Sequence, residues 1–184
     1  MDRTRELELM VRLREATIQD LQILKHWDEQ PHVIASAPNE VWDWEHELPR
    51  KHSWRELLIA EIKGRPIGFI QIIDPAVEET QYWGEIAEGY RAIDIWIGEL
   101  KDIGKGYGRA MMTEALNICF HDKEVHAVLI DPLSSNTDAI RFYEKIGFRY
   151  LEDRRFDEDD CKVYMITRNQ WLSLRNLASL ASPR

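Results

Sequence analysis

The chain has 184 residues, 44% of them hydrophobic and 31% charged, which describes one soluble domain able to bury a full core. Its formal charge of −9 argues against a general nucleic-acid binder, whose footprint is basic, and favours a cationic small substrate, with surface solubility as the alternative explanation of the same number. The two cysteines supply neither a disulfide framework nor metal spacing, and the charged opening Met1-Asp2-Arg3-Thr4-Arg5-Glu6 predicts a cytoplasmic protein with no signal peptide, no metal and no membrane span.

In chain order, Met10 to Arg14 alternates apolar and polar residues as a half-buried strand does. Thr17-Ile18-Gln19-Asp20 has the form of a capping box, and the helix behind it carries Leu21, Leu24 and Trp27 on one face until Pro31 ends it. A short helix is expected between Pro38 and Pro49, where Trp42-Asp43-Trp44-Glu45-His46-Glu47 concentrates indoles and carboxylates. Leu57 to Ile62, the turn Lys63-Gly64-Arg65-Pro66 and Ile67 to Ile73 read as an antiparallel hairpin. A long acidic loop with Glu78, Glu79, Glu85 and Glu88 around Tyr82 and Trp83 follows, and loops of that length are usually functional or disordered. Ala92 to Ile97 is the next strand, with Ile93, Ile95 and Ile97 on one face and Asp94 with Trp96 on the other.

That strand runs into Gly104-Lys105-Gly106-Tyr107-Gly108, and a helix is expected from Gly106 to about Phe120. A glycine loop opening a helix forms an anion site from bare N–H groups and the helix dipole, with Lys105 and Arg109 adding positive charge. A Gly-rich turn with a helix behind it and no ligand is the alternative reading, and two phosphate patterns fail. Walker spacing places Glu99 where its first glycine belongs, and dinucleotide spacing ends on Arg109 or Met111 instead of glycine. Val125 to Ile130 reads as a buried strand that completes a crossover unit, parallel to the strand near residue 94. Asp131-Pro132 ends it, a helix over about 137–146 stops at Gly147, and a final hairpin turns at Asp157-Glu158-Asp159-Asp160. From Gln170 a tail carries Trp171, Leu174 and Leu177 at helical spacing, and Pro183 closes it.

This order of elements resembles the GNAT superfamily of acetyl-CoA-dependent N-acetyltransferases. Ile103-Gly104-Lys105-Gly106-Tyr107-Gly108 is similar to its Q/R-x-x-G-x-G/A loop, with Ile103 in place of the usual Gln or Arg. Asn136 to Phe148 is similar to its N-x-x-A-x-x-x-Y-x-x-x-G-F segment. Arg91-Ala92-Ile93-Asp94, Ile130-Asp131-Pro132 and Ser135-Asn136 look like the aminoglycoside 6′-N-acetyltransferases within it.

The resemblance implies one α/β domain over residues 1–184, with a mixed sheet of about seven strands, splayed fourth and fifth strands, about four helices and a helical tail at 170–184. It implies acetyl-CoA as cofactor, held by Ile95, Trp96, Ile97, Ile103, Gly104, Lys105, Gly106, Tyr107, Gly108, Arg109, Asn136, Ala139 and Tyr143. Asp94 becomes the base or ammonium anchor, against its reading as a solvent-facing strand residue, and Tyr143 the general acid, against a core aromatic. Asn136 bonds the cofactor arm or caps a helix; Asp131 belongs to the site or to a turn. Trp42, Trp44, Trp83, Glu85, Asp94 and Asp131 are the expected wall for a cationic amine, carboxylates pairing ammoniums and indoles stacking on sugar faces or cations. An acetyltransferase for a protein N-terminus, small amine or siderophore precursor, and a non-catalytic acyl-CoA-binding module, are the alternatives. A monomer or a homodimer is compatible with all of them.

Overall fold

A computed structural model describes residue 6 and residues 10–180, with side chains through residue 177. The charged opening before Glu6 and the closing Pro183 lie outside the described residues. Seven strands form one sheet: β1 (Val11–Glu15), β2 (Arg55–Ile62), β3 (Arg65–Ile73), β4 (Tyr90–Ile97), β5 (Ala127–Ile130), β6 (Arg149–Phe156) and β7 (Asp159–Thr167). Their spatial order is β1-β2-β3-β4-β5-β7-β6, antiparallel except for the β4–β5 pair. Six helices are present among the described residues: α1 (Leu21–Asp28), α2 (Pro31–Ser36), α3 (Trp44–Glu47), α4 (Tyr107–His121), α5 (Thr137–Ile146) and α6 (Arg168–Leu180). Beyond the expected four and the helical tail, α2 is the addition, because Pro31 does more than end α1. It sits at the start of α2, where its missing N–H costs nothing.

One face of the sheet carries Leu58, Ile70, Ile72, Ile93 and Val128 and is covered by α4, with Tyr143 and Ile146 of α5 and Trp171 of α6 in the same cluster. On the opposite face Leu24 and Trp27 of α1, with Trp44 of α3, pack on Ile59 and Phe69. The acidic loop at 74–89 covers the rest of that face, Trp83 packing with Ala92, Leu129 and Phe156. The first helical turn is tied down through Asp20, which accepts the Thr17 N–H at 2.8 Å and both terminal nitrogens of Arg14, at 2.8 and 2.7 Å. Of the tail, Trp171 is buried, whereas Leu177 is exposed.

The feature that positions the site is a break in the sheet. β4 and β5 pair only at Tyr90↔Ala127, Arg91↔Val128 and Ala92↔Leu129. Beyond them β4 continues for five residues, to Ile97, while the chain after β5 turns to β7, Pro132 carbonyl accepting from Lys162 and the Ser134 N–H donating to Asp160. The Gly98 N–H donates to the Ile67 carbonyl on the β3 side. Antiparallel alternation therefore turns Trp96 and Asp94 backbone groups to β3 and those of Ile93, Ile95 and Ile97 into the gap.

Candidate active site

At the mouth of the gap, the glycine loop connects β4 to α4. Gly104 has φ +76° and Gly106, the residue capping α4, has φ +89°, a region that L side chains enter at a cost of roughly 1–2 kcal/mol. A Cβ on Gly104 would meet nothing within 4 Å, so the glycine serves the backbone turn and leaves the peptide bare to a ligand. The first turn of α4 opens at Tyr107 and Gly108, ahead of the Ala110 N–H, which donates to the Gly106 carbonyl at 3.2 Å. Lys105, expected to add positive charge at the loop, donates its Nζ to Asp102 at 2.9 Å. Asp102 is 1% exposed and also accepts from Arg65 at 2.7 Å. These bonds, Arg65 first, hold its carboxyl below the usual carboxylate range. Arg109 donates to the Lys145 carbonyl at 3.3 Å, linking α4 to the end of α5, and Ile103 is exposed.

From the gap a cavity of about 880 Å³ opens on the sheet face opposite α4. Its floor is set by register. Because Ala92 pairs with Leu129, residues two further on, Asp94 and Asp131, emerge on the same face on either side of the gap. Asp94 accepts from Gln71 Nε2 at 2.8 Å, and Asp131 accepts from the Tyr82 hydroxyl at 2.7 Å. Burial raises the Asp94 carboxyl above its ordinary value, opposed by the Gln71 bond. Asp131 is pushed up to about 7, by burial and then by the Asp94 charge. Glu40 joins them from the segment between α2 and α3; the surrounding protein and then the Asp94 charge raise it, an effect that its open surface moderates. No cationic side chain pairs with any of the three among the described residues.

Tyr143, 8% exposed, faces the cavity from α5, and burial with the Asp94 and Asp131 charges raises its phenol. It therefore holds its proton throughout the neutral range. Asn136 is a helix cap, its side-chain oxygen accepting the Ala139 N–H at 3.1 Å, and both residues line the cavity wall.

The sequence-derived candidates separate into two groups here. Asp94, Asp131, Trp42, Trp83, Tyr143, Asn136, Ala139, Ile95 and Trp96 line the cavity. Trp44 and Glu85 do not. Trp44 is fully buried, stacked on Trp42 at 4.3 Å between ring centres, with its Nε1 donating to Asp28 at 2.5 Å. Glu85 is exposed outside the cavity, while Glu45 and Glu79 are turned to Lys25 and His52. Trp96 gives the cofactor gap no backbone group, because its peptide pairs with Phe69 of β3. Sequence reasoning missed Glu40, Gln71, Tyr82 as the partner of Asp131, and Arg55, whose guanidinium lies over the Trp54 ring and bonds Glu47. Only Gln71 left a signal, as an amide inside the apolar run of β3.

The gap, the bare glycines and the open end of α4 fit an elongated ligand bearing phosphates at one end. Comparison with known proteins agrees. A family model for the GNAT acetyltransferase domain matches residues 17–156. An aminoglycoside N(6′)-acetyltransferase type 1 from Klebsiella pneumoniae is 30% identical over 183 residues, covering 91% of this chain and 88% of the relative. A kanamycin resistance protein from Rhizobium radiobacter is 34% identical over 95 residues, covering 51% of this chain and 87% of that one. The solved structure of aminoglycoside acetyltransferase AAC(6′)-Ib with ribostamycin and coenzyme A superposes with a TM-score of 0.81 at 29% identity, over 90% of this chain and 97% of that one. A spermidine N-acetyltransferase from Vibrio cholerae, at 21% identity and a TM-score of 0.70, shares the fold. With a family model spanning most of its length and register-placed carboxylates at the sheet break, the chain belongs to the GNAT acetyltransferase family.

Proposed function

We propose that this protein is an aminoglycoside 6′-N-acetyltransferase that moves an acetyl group from acetyl-CoA to a primary amine of a polycationic sugar. The observation carrying this reading is the pairing of Asp94 and Asp131 across the β4–β5 gap, unbalanced by any cation among the described residues, beside the Trp42 ring. The relatives named for aminoglycoside acetylation and kanamycin resistance support it. The buried free thiols of Cys119 and Cys161 suit a reducing, cytoplasmic setting.

Acetyl-CoA, when bound, supplies an activated thioester, and Ile103 to Arg109 with the residues of the gap between β4 and β5 would hold it. The N–H groups of Ile95 and Ile97 point into that gap and are placed to donate to an oxygen on which charge develops. Asp94 and Asp131 hold an ammonium. Their raised proton affinity shortens the distance to an amine, which ordinarily titrates near 10.4, so that Asp94 can receive its proton as the nitrogen becomes nucleophilic. Tyr143 keeps a proton at the gap for a departing anion. Direct attack by the amine requires no nucleophilic side chain.

The test is thiol release from acetyl-CoA with kanamycin, ribostamycin, spermidine and a peptide amine in parallel. Turnover with aminoglycosides bearing a 6′-amine, and its loss with 6′-hydroxyl analogues, supports the proposal. Turnover confined to the peptide amine or to spermidine overturns the substrate.

A further inference from the structure

Gln71 stands in the middle of β3, flanked by Ile70 and Ile72, where the hydrophobic pattern has no use for an amide. It is 6% exposed and lies directly across from Asp94 in the β3–β4 register. Its Nε2 donates to Asp94 Oδ2 at 2.8 Å, while its buried Oε1 has no hydrogen-bond partner among the described residues. Buried carbonyls without partners are rare, and this one belongs to a side chain lining the cavity. The titratable groups facing Asp94 there are Glu40 from the α2–α3 segment, Asp131 at the end of β5, Tyr143 of α5 and Tyr82 of the acidic loop. Arg55 of β2 also lines the cavity but is committed to Glu47. The Gln71 N–H is thus the group that favours the ionised form of Asp94.

We propose that Gln71 is the positioning residue for Asp94: its amide N–H fixes the ionised carboxylate, and its unmet carbonyl accepts a hydrogen from the incoming ammonium. The second half rests on the acetyl-transfer reading above; the first half does not. During transfer the substrate N–H bond breaks, its electron pair stays on nitrogen, and the proton forms an O–H bond on Asp94. A protonated Asp94 is a donor, and the same amide, turned over, offers it Oε1. Gln71 can therefore satisfy both protonation states with one side chain.

The experiment is a carboxyl-carbon NMR titration of Asp94 in the whole protein, assigned by its loss in Asp94→Asn, run on wild type, Gln71→Met and Gln71→Glu alongside steady-state kinetics. In Gln71→Met the Asp94 midpoint should rise by about 1–2 pH units, the scale of a hydrogen bond to a charge. The KM for the amine should rise about tenfold, with a smaller change in kcat. Gln71→Glu keeps an acceptor and loses the donor, so its KM should stay near wild type while the midpoint again rises, its own charge adding to the rise. An unmoved Asp94 midpoint in Gln71→Met overturns the proposal, and if Gln71→Met does not fold, the uncharged Gln71→Leu decides by the same titration. Should wild type turn over no aminoglycoside, the substrate reading fails, while the titration still decides whether Gln71 governs Asp94.

Discussion

The two ends of the site solve opposite electrostatic problems by opposite means. At the glycine loop the exposed groups are peptides, and the nearby Arg65 and Lys105 are both bonded to the buried Asp102. On the cavity floor the ligand-facing groups are side chains, and their charges are left without a counterion: Asp94 is held by an amide and Asp131 by a phenol. Backbone dipoles are fixed by the fold and carry no net charge, so an anion site made from them adds little self-repulsion. The cation end relies on side chains instead, and crowds carboxylates together at the expense of their ordinary proton affinity. The difference teaches that the anion end is set before a ligand arrives, whereas the cation end is completed by it.

Three measurements would break or sharpen that contrast. The largest effect is expected from Asp94→Asn, which keeps the shape and removes the charge. Its kcat/KM for the amine should fall about 10²–10⁴-fold, the range for losing a general base, with the affinity for coenzyme A unchanged. A comparable loss of coenzyme A affinity would show that the two ends are not separable. Next, Gly106→Ala forces a side chain into φ +89° at the cap of α4. The expected result is an increase of roughly tenfold in KM for acetyl-CoA with the amine KM unmoved, since the penalty of about 1–2 kcal/mol falls on the loop. An unaltered KM for acetyl-CoA would remove the loop from the cofactor site.

The smallest effect concerns stability. Asp131 titrates at about 7 in the folded chain, against about 3.9 for an ordinary aspartate. Its folded value is raised, so between these two values the folded chain binds the extra proton, and stability falls as pH rises from about 4 to about 7. Asp131→Asn removes that liability. Its Tm relative to wild type should be higher at pH 8 than at pH 5 by a few degrees, as read by thermal denaturation. An equal difference at both pH values would mean that the carboxylate is not under strain.

The fold was legible where local rules act. Period-two alternation placed Asp94 and Trp96 on the face opposite Ile93, Ile95 and Ile97, and the structure agrees: those isoleucines meet the α4 cluster, while Asp94 meets the cavity. The glycine loop and the Asn136 cap were legible for the same reason, since each depends on a few consecutive residues. The cavity wall was not. Trp42 and Trp44 are two apart in an irregular stretch, and nothing local says that Trp42 lines the cavity while Trp44 is sealed beneath it. Glu40 lies in a segment without regular structure, brought opposite Asp94 by tertiary packing alone. Glu85 and Glu78 share one loop, yet Glu78 is turned inward to accept the Thr80 and Tyr82 N–H groups while Glu85 stays in water.

The early end of the β4–β5 ladder has a meaning of its own. Directly after Asp131 the chain leaves β4 for β7, the Pro132 carbonyl accepting from Lys162 and the Ser134 N–H donating to Asp160. The pairing of β4 with β5 therefore stops at Ala92↔Leu129. Exposed strand edges normally sit at the rim of a sheet, where they invite other chains and must be guarded against aggregation. Here the unpaired edge lies in the middle of the sheet, between two strands of the same chain. An edge placed there is flanked by its own neighbours, and the protein keeps an unfinished row of its sheet inside the fold.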